Sequence, residues 1–230
     1  MTAAQPAPPT VAVGSPRLLV VEDHPLFRDA LVGVINSAFP GAEILQATSI
    51  DGALDVLAAH SAVDLVLLDL AMPETTGLLG AFRVRVAAPR SALVIVSAHE
   101  NSRIIGGATA LGIAGYIPKS TPKTELARLI RSVLEGAVCF PKRNLDATAT
   151  KKAHADAKNL LGPLSLLTTQ QLRVLDMICR GLQNKHIAYE LDISVTTVKV
   201  HVSDVLRKLG VRSRTEAIVR MSPLDFIRAE

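Results

Sequence analysis

The chain has 230 residues, and at roughly 150 residues per domain it is expected to hold two domains. Apolar residues make up 49% and charged residues 20%, a balance that excludes global disorder. Aromatics amount to 3% with no Trp, which excludes a platform that stacks single-stranded bases. Cys139 and Cys179 stand far apart; they suit neither a disulfide framework nor a cysteine-rich zinc site and read as small buried hydrophobes. No uncharged apolar stretch approaches about 18 residues, and the start MTAAQPAPPT lacks the basic and apolar regions of a signal peptide. The expected protein is soluble and cytoplasmic, with no membrane insertion.

The net charge of +4 is unevenly divided. Residues 1–141 carry 10 Lys/Arg and 12 Asp/Glu, whereas residues 142–230 carry 15 Lys/Arg and 9 Asp/Glu. A polyanion is therefore expected to be held by the C-terminal part.

In chain order, residues 1–16 are rich in Ala, Pro and Thr and read as a flexible extension. Short apolar runs follow at Leu18–Val21, Glu43–Ala47, Leu65–Leu68, Leu93–Val96 and Gly115–Ile117. Helical spacing fills the gaps at Leu26–Phe39, Ile50–Ala59, Leu78–Val86, Arg103–Leu111 and Pro122–Leu134. This alternation predicts a five-stranded parallel sheet covered on both faces, over residues 17–138. The strand runs lack in–out alternation, as doubly buried strands should. Residues 139–163, rich in Ala, Thr and Lys and ending in Gly162-Pro163, read as a linker with some helix near Ala153–Leu161. From residue 164 the pattern is helical only. Elements are predicted from Thr168 or Thr169 to Arg180, over Lys185–Leu191, over Val195–Leu209 and over Arg214–Met221, with Gly181 and Gly210 as stops. They make a small all-α domain.

Ligands of a parallel α/β sheet bind beyond the carboxyl ends of its strands. Those ends carry Glu22-Asp23, Asp69, Ser97 and, shortly after the last strand, Lys119. Three carboxylates alone would repel one another. A hard divalent cation removes the conflict, and Mg²⁺ favours carboxylate oxygens, waters and a phosphate. The hydroxyl and the ammonium are what a phosphoryl group needs.

The segments VVEDHPLFRDAL, LVLLDLAMP, VIVSAHE and GYIPK resemble, in order, the receiver domain of two-component response regulators, whose fold is flavodoxin-like. The resemblance implies that Asp69 is the phosphoacceptor and Asp23 a direct Mg²⁺ ligand, with Glu22 acting through water and the Ala71 carbonyl completing the set. It further implies that Ser97 and Lys119 hold phosphoryl oxygens and that Tyr116 is the aromatic switch. An ionised Asp69 can attack a phosphoryl group in line while the cation and Lys119 neutralise developing charge.

In the C-terminal part, Val195, Val198, Val202, Val205, Leu206 and Leu209 form one face of an amphipathic helix. That helix follows NKHIAYELDISV as the second of a helix-turn-helix, the element that enters a major groove. The run from LTTQQLRVL to SRTEAI resembles the LuxR-type helix-turn-helix, most specifically in TVKVH and RKLGVRSRTEA. By that resemblance Lys199, Val200 and Ser203 face bases, while Lys185, Thr197, His201, Arg207, Lys208 and Arg214 lie near phosphates. Gln171 and Arg173 stand where the family often has Glu, implying a missing internal ion pair, and Asp192 where it often has Gly. His60, His99 and His154 read as surface residues.

Both halves together resemble a NarL/FixJ-type response regulator. The implied partners are a histidine kinase, double-stranded DNA and a second copy of the chain, which meets the first through the last helix at Ala217, Ile218 and Met221. Two other readings compete. One is a phosphate-independent regulator whose receiver only dimerises; the other is a Mg²⁺-dependent phosphohydrolase. The intact acidic set disfavours the former. The absence of a second general-acid carboxylate beside Asp69 disfavours the latter, so the chain is not expected to be an enzyme beyond its own phosphoryl transfer and hydrolysis.

Overall fold

A computed structural model of the chain describes residues 15–60, 62–73, 75, 77–98, 101–141 and 146–224. Most of the expected N-terminal extension, His99 and residues 142–145 of the expected linker lie outside the described residues.

The elements follow the predicted alternation: β1 (Arg17–Val21), α1 (Pro25–Ala38), β2 (Glu43–Ala47), α2 (Ile50–Ala59), β3 (Leu65–Asp69), α3 (Leu78–Ala87), β4 (Ala92–Ser97), α4 (Ser102–Ala110), β5 (Gly115–Pro118) and α5 (Lys123–Leu134). All strands are parallel in the order β2-β1-β3-β4-β5, the doubly wound, flavodoxin-like arrangement. Leu18, Val20, Leu65, Leu67, Val94 and Val96 point to one face and share a core with Leu31 and Ile35 of α1 and Ile130 of α5. Leu19, Val21, Val66, Leu68 and Ile95 point to the other face and are equally buried. Two buried sets at period 2 explain why the strands read as unbroken apolar runs.

Local signals set the helix ends. Ser49 caps α2 by accepting from the Gly52 N–H at 2.9 Å, and Pro25 opens α1, where a missing N–H costs nothing. In α5 the buried Leu126, Ile130, Val133 and Leu134 fall on one stripe. After α5 the chain returns along the edge of β5: Tyr116 N–H donates to the Cys139 carbonyl at 2.8 Å, and Cys139 N–H to the Ala114 carbonyl at 2.9 Å. A Cβ at Gly115 would lie 2.9 Å from that Cys139 oxygen, so the close approach requires glycine. Cys139 is thus only half-buried, contrary to expectation, whereas Cys179 is buried.

The described residues form two compact units. The first holds the sheet with α1, α2 and α5; the second gathers residues 73–83 and 102–111, which include α4, with everything from Asp146 onward. In the second unit α6 (Ala147–Ser165) precedes α7 (Thr169–Cys179), α8 (Asn184–Glu190), α9 (Val195–Leu209), α10 (Arg214–Met221) and a 3₁₀ turn, Ser222–Leu224.

Helix α6 is longer than the short stretch expected over Ala153–Leu161. Its buried stripe is Ala153, Ala157, Leu160 and Leu164, and two of those four are alanines, too weakly apolar to stand out as a pattern. The helix also runs through Pro163. An interior proline costs about 3 kcal/mol or more, and the burial of Leu160 and Leu164, at about 1.5–3 kcal/mol each, offsets it. Asp146 caps α6 through the N–H groups of Thr148 and Ala149 at 2.8 and 3.1 Å. A Cβ on Gly106 of α4 would run into the Thr150 carbonyl of α6 and approach the Ala153 methyl to 3.1 Å. Elsewhere in this unit Arg83 and Asp176, both buried, form an ion pair at 3.5 Å. No helix among the described residues is long and apolar enough to cross a membrane.

The glycine contact yields a test. Gly106→Leu is expected to force α4 and α6 apart at a cost of about 1–3 kcal/mol. Hydrogen exchange should show lost amide protection along Ala147–Ser165, with the protection of β1, β3 and β4 unchanged.

Candidate functional site

In the order 2-1-3-4-5 the direction in which strands are added reverses between β1 and β3, and the crevice lies beyond their carboxyl ends. Register places the polar residues there. Val21 is level with Leu68, and Asp69 with Val96, so Glu22, Asp69 and Ser97 fall at one edge. Ser97 pairs with Pro118, and its carbonyl accepts from the Lys119 N–H at 2.8 Å, which delivers Lys119 to the same edge.

The side chains meet closely. Lys119 Nζ lies 3.0 and 2.8 Å from the two carboxylate oxygens of Glu22 and 2.9 Å from Asp69 Oδ2. Glu22 and Asp69 are almost completely buried, while Asp23 is partly exposed. Burial alone would lower the Lys119 pKa, but hydrogen bonds to Glu22 and Asp69, backed by their charges, outweigh it and raise the pKa above the ordinary lysine value. The second Asp69 oxygen, Oδ1, accepts from the Ala71 N–H at 3.0 Å. Asp69 is therefore held at both oxygens, each by a donor. Ser97, at the end of β4, and Tyr116, in β5, are both buried.

Three neighbours escaped the sequence reading. His24 Nδ1 lies 2.8 Å from Asp23 Oδ1 and 3.2 Å from Glu22 Oε1, and its N–H donates to Glu22 Oε1 at 3.1 Å. Arg28 donates to the Glu22 carbonyl at 3.1 Å. The Phe27 ring centroid stands 4.6 Å from Lys119 Nζ. All three follow Glu22-Asp23 at the start of α1, so proximity in sequence was the available signal. Donor atoms of Glu22, Asp23, His24 and Asp69 all lie within 4.8 Å of one another. Three carboxylates gathered this closely at one edge, with Lys119 and the His24 ring beside them, offer hard oxygen ligands of the kind that suits a small divalent cation.

The second group of expected residues lies on α8 to α10. Ser194 caps α9 by accepting from the Thr197 N–H at 3.0 Å, and Gly210 closes it with φ 66°. Asp192, in the turn before α9, has φ 50°. This left-handed conformation explains why glycine suits the position and why Asp, which tolerates it, can replace glycine. Val198, Val202, Val205 and Leu209 of α9 are buried, and Thr196, Thr197, Lys199, Val200, Ser203 and Arg207 are exposed. Lys185 is exposed on α8, and His201 is half-buried.

Not every expected basic residue is free. Arg207 pairs with Asp204 at 2.8 Å on the exposed side. Lys208 Nζ donates to the Leu166 carbonyl at 2.8 Å and to Gln171 Oε1 at 2.7 Å. The ion pair expected to be missing at Gln171 is thus replaced by a hydrogen bond to its amide. Gln171 also completes a capping box with Thr168. Arg214 donates to Asn184 Oδ1 at 2.6 Å and to the Leu182 carbonyl, tying α10 to the chain before α8. His60 bonds the Val56 carbonyl at 2.9 Å and His154 is half-buried.

Comparison with known proteins agrees with both halves. Residues 18–131 match the response regulator receiver domain, and residues 165–221 match the bacterial regulatory proteins of the luxR family. The chain is 40% identical over 213 residues to a glycerol metabolism activator of Pseudomonas putida, covering 91% of this chain and 96% of that protein. It is 32% identical over 204 residues to the nitrate/nitrite response regulator protein NarP of Escherichia coli (strain K12), covering 88% and 93%. Among solved structures, a LuxR family DNA-binding response regulator from Silicibacter pomeroyi is 31% identical with a TM-score of 0.50, covering 56% of this chain and 98% of that one. An acidic crevice at the switch point of a receiver fold, followed by a helix-turn-helix, places the chain in the NarL-type response regulators, phosphorylation-controlled DNA-binding regulators of transcription.

Proposed function

We propose that Asp69 is the phosphoacceptor and that the observation carrying this role is the grip of Lys119 on Glu22 and Asp69. An ionised Asp69 oxygen attacks the phosphorus of a phosphohistidine on a kinase. The phosphorus–oxygen bond to Asp69 forms as the phosphorus–nitrogen bond breaks, and the nitrogen leaves with its electron pair. Lys119, already 2.9 Å from Asp69, turns an N–H of its ammonium to donate to a phosphoryl oxygen, and the Ser97 hydroxyl donates to another. Glu22 holds Lys119 in place. The Ala71 N–H keeps the carboxylate turned so that one oxygen faces the crevice.

Asp23 and Asp69, with the Ala71 carbonyl and with Glu22 through water, would hold Mg²⁺. When bound, the cation neutralises charge that develops on the phosphoryl oxygens. Beyond this transfer and the hydrolysis of its own acyl phosphate, the chain performs no catalysis. Phosphorylation draws Ser97 inward and shifts Tyr116, and this changes the surface around β4 and β5 to one that dimerises.

The output is binding of double-stranded DNA by a dimer, with α9 in the major groove and α10 at the dimer contact. Exposed Lys199, Val200 and Ser203 face base edges. Lys185, Thr197, His201 and Arg207 lie towards phosphates, where Arg207 exchanges Asp204 for the backbone. Lys208 and Arg214 serve the same surface by holding α9 and α10 in position, because their donors already bond within the domain.

Incubation with acetyl phosphate and Mg²⁺ is expected to add one phosphoryl group by intact mass, and Asp69→Asn to abolish the increment. A full increment on Asp69→Asn would assign the nucleophile elsewhere. Sedimentation and DNA titration with and without the donor should show dimer fraction and DNA affinity rising together. On the recognition helix, Lys199→Ala should weaken binding to a specific site by roughly 1–3 kcal/mol while leaving random DNA little changed. Arg207→Ala should weaken both kinds of DNA alike and lower the salt slope by about one unit. Titrations on specific and scrambled duplexes at several salt concentrations separate the two.

A further inference from the structure

We propose that Phe27 is a positioning residue for phosphoryl transfer: its ring face holds the Lys119 ammonium at the mouth between Glu22 and Asp69. The inference rests on the roles of Asp69 and Lys119 proposed above and concerns what keeps the cation where they need it.

Phe27 is in the first turn of α1, half-buried, next to Leu26, which is 87% exposed. The ring centroid is 4.6 Å from Lys119 Nζ, inside the range in which an aromatic quadrupole attracts a cation. The ammonium has three N–H donors. The carboxylates of Glu22 and Asp69 engage it from one side at 2.8–3.0 Å, and the ring occupies another. Phe27 and Lys119 both line a cavity of about 180 Å³, together with Val34, Val96, Lys123 and Leu126. The ring closes the route by which the ammonium would swing towards the cavity and away from Asp69. It also attracts without competing: a third carboxylate there would pair with the ammonium as strongly as an incoming phosphoryl oxygen, whereas a π face lets it transfer.

Phe27 also packs on the core shared by α1 and α5, so its removal affects stability as well as the site. Three features of the experiment separate these effects. First, the Lys119 ε-methylene protons of the wild-type full-length chain, observed by NMR after lysine labelling, should be displaced upfield by the ring current. Phe27→Tyr should keep the displacement and Phe27→Leu should abolish it, with the other lysines unmoved. Second, Phe27→Leu should slow phosphorylation by acetyl phosphate in Mg²⁺ about 3- to 30-fold, the span expected of a partly desolvated cation–π contact. Phe27→Tyr should restore the rate. Third, in a Lys119→Ala background Phe27→Leu should slow the reaction no further.

A wild-type Lys119 signal without ring-current displacement overturns the proposal, and this measurement needs no variant to fold. Equal slowing by Phe27→Leu with and without Lys119 overturns it too, because the loss would then reflect packing alone. If the wild-type chain gains no phosphoryl mass, the Asp69 reading fails separately, and the Lys119 signal still decides whether Phe27 holds the ammonium.

Discussion

Two carboxylates buried within reach of one ammonium impose the constraint on which the receiver half depends. Glu22 and Asp69 are almost inaccessible to water, and an unpaired buried charge would cost several kcal/mol. Lys119 answers both. It can do so only if residues 97 and 50 positions apart in sequence arrive at one sheet edge. The parallel order 2-1-3-4-5 brings them there, because β1 and β3 are neighbours and β5 follows β4 with Lys119 just past its end. The apolar strands thus position the charges, and their burial supplies the stability that lets the charges be gathered. The raised pKa of Lys119 expresses the same balance.

The second unit solves a different problem. Helix α9 buries one face, with Val198, Val202, Val205 and Leu209, and leaves Lys199, Val200 and Ser203 exposed on the other, the division that the proposed DNA-reading role needs. Several charges that look available in the sequence are used to hold the helix still. Lys208 stops the chain end of α6 and the amide of Gln171 at once, and Arg214 joins two segments through Asn184 and Leu182. Such bonds fix the orientation of α9 and α10 within the unit.

Much was legible without coordinates. The five strands, the helix over Ile50–Ala59 and the helices over Val195–Leu209 and Arg214–Met221 follow from apolar spacing, Ser and Thr caps and glycine stops, which are local properties. The acids at strand ends and Lys119 were legible because a parallel sheet has one functional edge. Helix α6 was only partly legible. Ala153 and Ala157 carry little hydrophobic signal, and Ala153 matters by being small where Gly106 of α4 lets two backbones approach. The Arg83–Asp176 pair was invisible, since each residue alone reads as a solvated charge and only packing brings them within 3.5 Å.

The sequence by itself therefore determined which elements form, their order and which residues could carry charge to one edge. Those facts depend on periodicity and on neighbours a few positions away. Tertiary structure alone decided which charges meet. It set Lys119 against Glu22 and Asp69, placed Phe27 over its ammonium, and turned Lys208 and Arg214 inward. The reason is physical. A pairwise electrostatic contact depends on distances of a few ångströms between atoms far apart in the chain, and no local pattern in the sequence encodes those distances.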